Sequence, residues 1–176
     1  MAIERIRGRA WKFGDDVNTD VIYPGKYLPL TDPKEMALHA FEGVRPEFAK
    51  AVKPGDILVA GRYFGCGSSR EQAATCLKAL GLGAVIAESF ARIYYRNAIN
   101  LGLPILACPG ISKKVEEGQE LEVDLRKGSI RNLSTGESFQ AQPLPDFVLE
   151  ILEAGGLIPY LKRRLQGQRA GAELSS

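Results

Sequence analysis

The stretch Gly61–Leu80, GRYFGCGSSREQAATCLKAL, decides how the chain is read. Three glycines (Gly61, Gly65, Gly67) punctuate its first half, and Ala and Leu dominate its second. A tight turn therefore runs into a helix. At the junction Ser68 precedes Glu71 by three residues, a capping-box pattern that predicts Ser68 as the N-cap and Glu71 at N3. Glycines ahead of a helix let several N–H groups point one way, and with the helix N-terminus behind them they make an anion site. Arg70 stands near the positive helix end, where acids are favoured. A cation there points to an anionic ligand. The plainer reading, a capped helix after an ordinary strand-to-helix loop, stays open on these residues alone.

Outward from this stretch, Ile57–Ala60 reads as a buried strand feeding the turn, and Gly81 and Gly83 stop the helix. Ala84–Ala87 is a second short apolar strand. Ser89 is expected to cap a helix over Phe90–Leu101, which carries Arg92, Tyr94, Tyr95, Arg96 and Asn97; Gly102 ends it and Pro104–Ala107 returns as strand. This alternation of strand and helix predicts βαβ units with parallel neighbours. Upstream, residues 3–13 alternate apolar and polar as a strand does. Residues 14–25, GDDVNTDVIYPG, have turn chemistry, with Thr19 and Asp20 beside the apolar pair Val21-Ile22. Asp20 is either a turn residue or a side chain facing a pocket. Tyr27-Leu28-Pro29-Leu30-Thr31 reads as an exposed loop with an apolar tip, the kind of surface that makes contacts. Asp32 and Pro33 then cap and start a helix over Lys34–Glu42, and residues 45–52 hold another helical piece.

Downstream the pattern changes. Residues 112–141 carry short alternating runs split by Gly118, Gly128 and Gly136, which predicts small antiparallel strands. Helices follow over Asp146–Glu153 and Leu157–Leu165, and residues 166–176 read as a disordered tail. The fold class is thus α/β, one domain over residues 1–165 with a mixed sheet.

Composition narrows the function. With 23 basic and 21 acidic residues the net charge is +2, so nothing points to nucleic acid or an acidic membrane surface. No apolar run reaches a bilayer's thickness, and the N-terminus lacks a signal-peptide core; the expected location is cytoplasmic. Three widely spaced cysteines (Cys66, Cys76, Cys108) form neither a disulfide framework nor a CxxC site. The single histidine, His39, leaves little room for a His-based triad or zinc site.

GCGSSRE, NTDVIYPGKY and ESFARIYYRNAINLGLP together resemble the aconitase-type small subunits, the separate swivelling-domain chains of 3-isopropylmalate isomerase (dehydratase) and homoaconitase. The resemblance runs over about residues 5–165. It implies a β/β/α swivelling domain that closes over a large subunit, and a hetero-oligomer; self-association of the isolated chain stays open. It places no cofactor in this chain and a [4Fe–4S] cluster in the large subunit, with one iron open to a small di- or tricarboxylate. Ser68 is then the base that takes a proton from substrate carbon, Ser69 and Arg70 bind a carboxylate, and Asp20 and Thr19 lie near the site. Tyr27–Thr31 matches the segment linked to substrate choice. It carries neither the Tyr-Leu-Arg-Thr frequent in isopropylmalate isomerases nor the Tyr-Leu-Val of homoaconitases. Its apolar tip favours an alkyl substituent, hence isopropylmalate and a place in leucine biosynthesis, with homoaconitate or another alkyl-malate as the alternative. Cys66 is expected to pack rather than react.

That chemistry is demanding for a serine. Each pKa unit by which the alkoxide is favoured needs about 1.4 kcal/mol, while a preorganised donor supplies roughly 3–4 kcal/mol. Inward-facing amides and a guanidinium are therefore of the right size. The rivals are weaker. A nucleotide-binding loop would need a P-loop or dinucleotide fingerprint, and a serine hydrolase would need a G-x-S-x-G elbow. A non-catalytic scaffold subunit is separated from an active one by replacing Ser68.

Overall fold

Strand β1 (Arg5–Lys12) belongs to two kinds of sheet at once. The computed structural model describes residues 5–175, so Ile3 and Glu4 of the expected strand lie outside the described residues. The first half of β1, Arg5–Arg9, pairs antiparallel with β5 (Glu120–Asp124), and its last residues, Ala10–Lys12, pair parallel with β2 (Ile57–Ala60). β3 (Ala84–Ala87) and β4 (Ile105–Ala107) extend the parallel side, while β6 (Ser129–Asn132) and β7 (Ser138–Gln140) extend the antiparallel side. The order is β4-β3-β2-β1-β5-β6-β7, a mixed α/β sheet with both expected portions. Gly8 sits where the pairing changes. A Cβ there would lie 2.0 Å from the carbonyl oxygen of Gly55, so only glycine lets β1 pass the turn that opens β2.

The parallel side is covered by helices, as apolar strands without alternation require. Every residue of β2 and β3 is buried. Helix α4 (Gln72–Ala79) connects β2 to β3, and α5 (Arg92–Leu101) connects β3 to β4. Ahead of them stand the short helices α1 (Thr19–Ile22), α2 (Pro33–Ala37) and α3 (Phe48–Ala51). Asp32 caps α2 through its side chain, with Pro33 in the first turn, as expected. That helix stops well short of Glu42. Phe41 adopts φ 57° and buries its ring against Phe13, 4.2 Å away, so core packing overrides the helical pattern.

Two helices close the chain, α6 (Asp146–Ala154) and α7 (Leu157–Ser175). The expected tail from residue 166 is instead a continuation of α7. No proline follows Pro159, and the segment is mostly Gln, Arg, Ala, Glu and Leu, which outweigh Gly167 and Gly171 in propensity.

Beyond the ends of β1, β2 and β3 the backbone stays laced. Gly61 N donates to Gly14 O, Asp16 N to Arg62 O, Gly65 N to Val17 O and Thr19 N to Cys66 O, all within 3.0 Å. On the other side Phe64 N donates to Ser89 O at 3.0 Å and Ala91 N to Phe64 O at 2.9 Å. Three loops thus leave the sheet as one body. Gly65 is its tightest point: φ is +84°, and a Cβ would fall 2.2 Å from Cγ of the buried Tyr94 ring. Glu88, just after β3, accepts from the Ser112 hydroxyl and from Gly110 N at 2.8 Å. Those two bonds hold its carboxyl below the usual carboxylate range.

Gly65→Ala combines a strained φ with a ring clash, and a loss of about 3 kcal/mol or more is expected in urea unfolding. Glu88→Ala tests the carboxylate. Its folded pKa is depressed, so its contribution is present above the unfolded value and fades as pH falls through the folded one. The variant should be less stable than the parent at neutral pH, and their unfolding midpoints should converge below about pH 4.

Candidate active site

The three laced loops all sit at the carboxyl ends of parallel strands, where open α/β sheets bind ligands. Between the glycine turn and the first turn of α5 lies a hollow of about 160 Å³. Thr19, Ser69 and Arg70 line it from one side of the sequence, and Arg92, Ile93 and Asn97 from the other. At ~30 Å³ per water it holds roughly five waters. That is room for one end of a small diacid.

Arg70 is the best-fixed cation in it. Its side chain is only 20% exposed, and Nη1 donates to Asp20 Oδ1 at 2.6 Å and to the Tyr23 carbonyl at 3.2 Å. Asp20 is 67% exposed, so the pair adds little to stability, about 0–1 kcal/mol. Its effect is orientation. Two of the five guanidinium N–H groups are occupied, and the edge formed by Nε and Nη2 keeps the fork that a carboxylate accepts bidentately. Asp20 is in turn held by Gly25 N at 3.2 Å.

Sequence expectation and structure part company at Ser68. The helix begins at Gln72, with Glu71 in the cap position and no side-chain cap bond, so the Ser68–Glu71 capping box does not form. A tertiary bond replaces it: Thr19 Oγ1 donates to the Ser68 carbonyl at 2.6 Å, and the turn continues two residues further. Ser68 is exposed and does not line the hollow, whereas Ser69 does. Among the described residues the amides of Gly67, Ser68, Ser69 and Arg70 have no acceptor. Thr19 is buried and lines the hollow. Asn18, one residue earlier, caps α1 by accepting from Val21 N.

Sequence reasoning missed the α5 side. Ser89 does not cap that helix: its Oγ accepts from Tyr63 N at 2.8 Å, and Ala91 takes the cap position without a side-chain bond. Arg92, Ile93 and Tyr94 open the helix, so their amides have no intrahelical acceptor. Arg92 is exposed and carries no ion pair among the described residues. The signal was available, since Arg92 is a cation in a first helical turn, like the argument made for Arg70. Tyr63 also lines the hollow, with φ 57°. Such a conformation costs a bulky residue about 1–3 kcal/mol.

Tyr27–Thr31 does not line the hollow. A short 3-10 turn, Gly25–Tyr27, leads into it. Tyr27 stacks on His39 at 3.6 Å, and its carbonyl accepts from Tyr23 OH at 2.5 Å. Leu28 is 38% exposed, Leu30 packs partly on the core, and Pro29 and Thr31 are exposed. The loop connects to the site through Gly25, which abuts Asp20 and Arg70, and through Tyr23, which bonds both the Tyr27 carbonyl and Arg70.

The cysteines do not fit a metal cluster. Among the described residues no three His, Cys, Asp or Glu side chains converge on a point. Burial pushes the Cys76 and Cys108 thiols up, away from the thiolate a metal needs. Cys66 packs against the core. No helix among the described residues is long and apolar enough to cross a membrane.

Comparison with known proteins bears on these features. The aconitase C-terminal domain family matches residues 16–109, which contain all of the laced loops except the start of the first. A small subunit of 3-isopropylmalate dehydratase from Methanopyrus kandleri is 59% identical over 94% of this chain and 96% of its own length. A methanogen homoaconitase small subunit from Methanothermobacter thermautotrophicus is 52% identical over 96% of this chain and 97% of its own. A crystal structure of 3-isopropylmalate dehydratase from Methanocaldococcus jannaschii superposes with a TM-score of 0.90 at 48% identity, covering 95% of this chain and 99% of that one. The chain belongs to the aconitase C-terminal domain family.

Proposed function

We propose that this chain is the small subunit of a cytoplasmic hydro-lyase that interconverts 2- and 3-isopropylmalate by dehydration and rehydration, in leucine biosynthesis. The observation that carries the reading is the hollow with Arg70 on one side and the open first turn of α5, with Arg92, on the other. Two cations and a set of unpaired amides, at this size, suit the carboxylates of a small diacid. One carboxylate takes the Nε–Nη2 edge of Arg70 and the amide of Ser69. Ser68, at the lip, removes the proton from the adjoining carbon. Its alkoxide is favoured by the amides of Gly67–Arg70, and Asp20 keeps the guanidinium turned the right way. Thr19 fixes the Ser68 carbonyl and so the path of the turn.

The site is half of one. Ser68 lies in water here, where each donor is worth little. A large subunit seated over this face excludes that water and strengthens the same contacts. In this reading the large subunit holds a [4Fe–4S] cluster, which supplies Lewis-acid help for the departing hydroxyl. Among the described residues the lining of the hollow holds apolar Tyr63 and Ile93 and no cation beyond Arg70 and Arg92, which favours an alkyl-malate over homoaconitate.

Purified alone, the chain should be colourless and turn over none of these acids; activity without the large subunit would refute the shared site. In the reconstituted complex Ser68→Ala should lower kcat by about 10²–10⁴-fold. Arg70→Lys should cost about 10²-fold through loss of the bidentate fork. Full activity of Ser68→Ala would leave only a scaffold role, and a kcat/KM higher for homoaconitate than for isopropylmalate would move the assignment to the other acid.

A further inference from the structure

Resting on the proposed activity, we infer that Tyr63 and Ile93 form the wall that recognises the alkyl branch of the substrate. They are 53% and 55% exposed, and they are the large exposed apolar side chains that line the hollow beside Arg70 and Arg92. An apolar pair next to two cations matches an acid whose carboxylates and alkyl branch leave neighbouring carbons. The backbone under Tyr63 is fixed rather than loose. Its amide donates to Ser89 Oγ at 2.8 Å and the next amide donates to Ser89 O at 3.0 Å, which holds φ at 57°. Strain retained by a bulky residue at a binding hollow is a mark of function. Ile93 occupies the first turn of α5, so its place is set by a helix that the Tyr94 ring packs under the glycine turn. Tyr27–Thr31 is less suited to touch the branch directly, because Tyr27 is stacked on His39 and the loop does not line the hollow. Contact between this pair and the large subunit alone is the competing outcome.

The test uses the complex of this chain with its large subunit and three variants: Tyr63→Gly, which relieves the backbone and removes the ring, Tyr63→Phe, which keeps the ring, and Ile93→Ala. Malates bearing an isopropyl or a methyl branch are compared. Tyr63→Gly and Ile93→Ala should each lower kcat/KM for the isopropyl acid by about 10-fold or more while leaving the methyl acid within about 3-fold, since a hydrophobic contact of this size discriminates by roughly 10–200-fold. Tyr63→Phe should leave both within about 3-fold. Equal losses on both acids, or weaker assembly with the large subunit by sedimentation, would overturn the inference in favour of an interface role. Calorimetry with the unreactive 2-isopropylsuccinate against succinate reads the wall without turnover. The parent complex should prefer the branched acid and the two truncations should lose that preference; its persistence would also overturn the inference. The proposed activity itself is judged separately, by whether the unaltered complex turns over isopropylmalate.

Discussion

Gly65 N donating to Val17 O and Ala91 N donating to Phe64 O are ordinary amide bonds, yet the site depends on them. They extend the pairing of β1, β2 and β3 past the point where the strands end, so that three loops behave as a single rigid lip. Each bond is worth only about 1 kcal/mol net. Their joint effect is geometric: Thr19, the Gly67–Arg70 amides and the first turn of α5 are brought around one hollow from sequence positions more than 70 residues apart. Gly65 makes the closeness feasible, because any side chain there would displace the Tyr94 ring that supports the floor.

Electrostatics follows from that frame. Arg70 is partly desolvated and tied to Asp20 and the Tyr23 carbonyl, so it is a preorganised fork rather than a mobile charge. Arg92 is solvated and unpaired among the described residues. The two cations thus differ in kind, one fixed before any ligand arrives and the other free to adjust to it. A preorganised donor loses less on binding than one that must be ordered.

Much of the architecture was readable from residue patterns. β2, β3 and β4 announced themselves as apolar runs between glycine stops, and the antiparallel portion as alternating runs between turns. What the sequence hid was tertiary competition for local signals. Ser68 has the spacing of a cap, but Thr19 takes its carbonyl and moves the helix start to Gln72. Ser89 precedes a helix, but Tyr63 N takes its oxygen. Phe41 sits in a helical pattern, but its ring is worth more in the core than in the helix. Tyr63 and Ile93 were illegible as residues of the hollow for a related reason. Their roles come from the loop lacing, which no single stretch encodes.

The double allegiance of β1 governs the order in which the molecule can assemble. It is the first described strand to leave the ribosome, yet its antiparallel neighbour spans Glu120–Asp124, more than a hundred residues later. Until Glu120–Asp124 is made, then, Arg5–Arg9 has a bare edge on that side, and the antiparallel half of the sheet cannot join β2 through it. Arg5, Arg7 and Arg9 alternate along that waiting edge. Like charges on a temporarily unpaired strand repel a second nascent copy, so the same residues that later face β5 also guard against premature association.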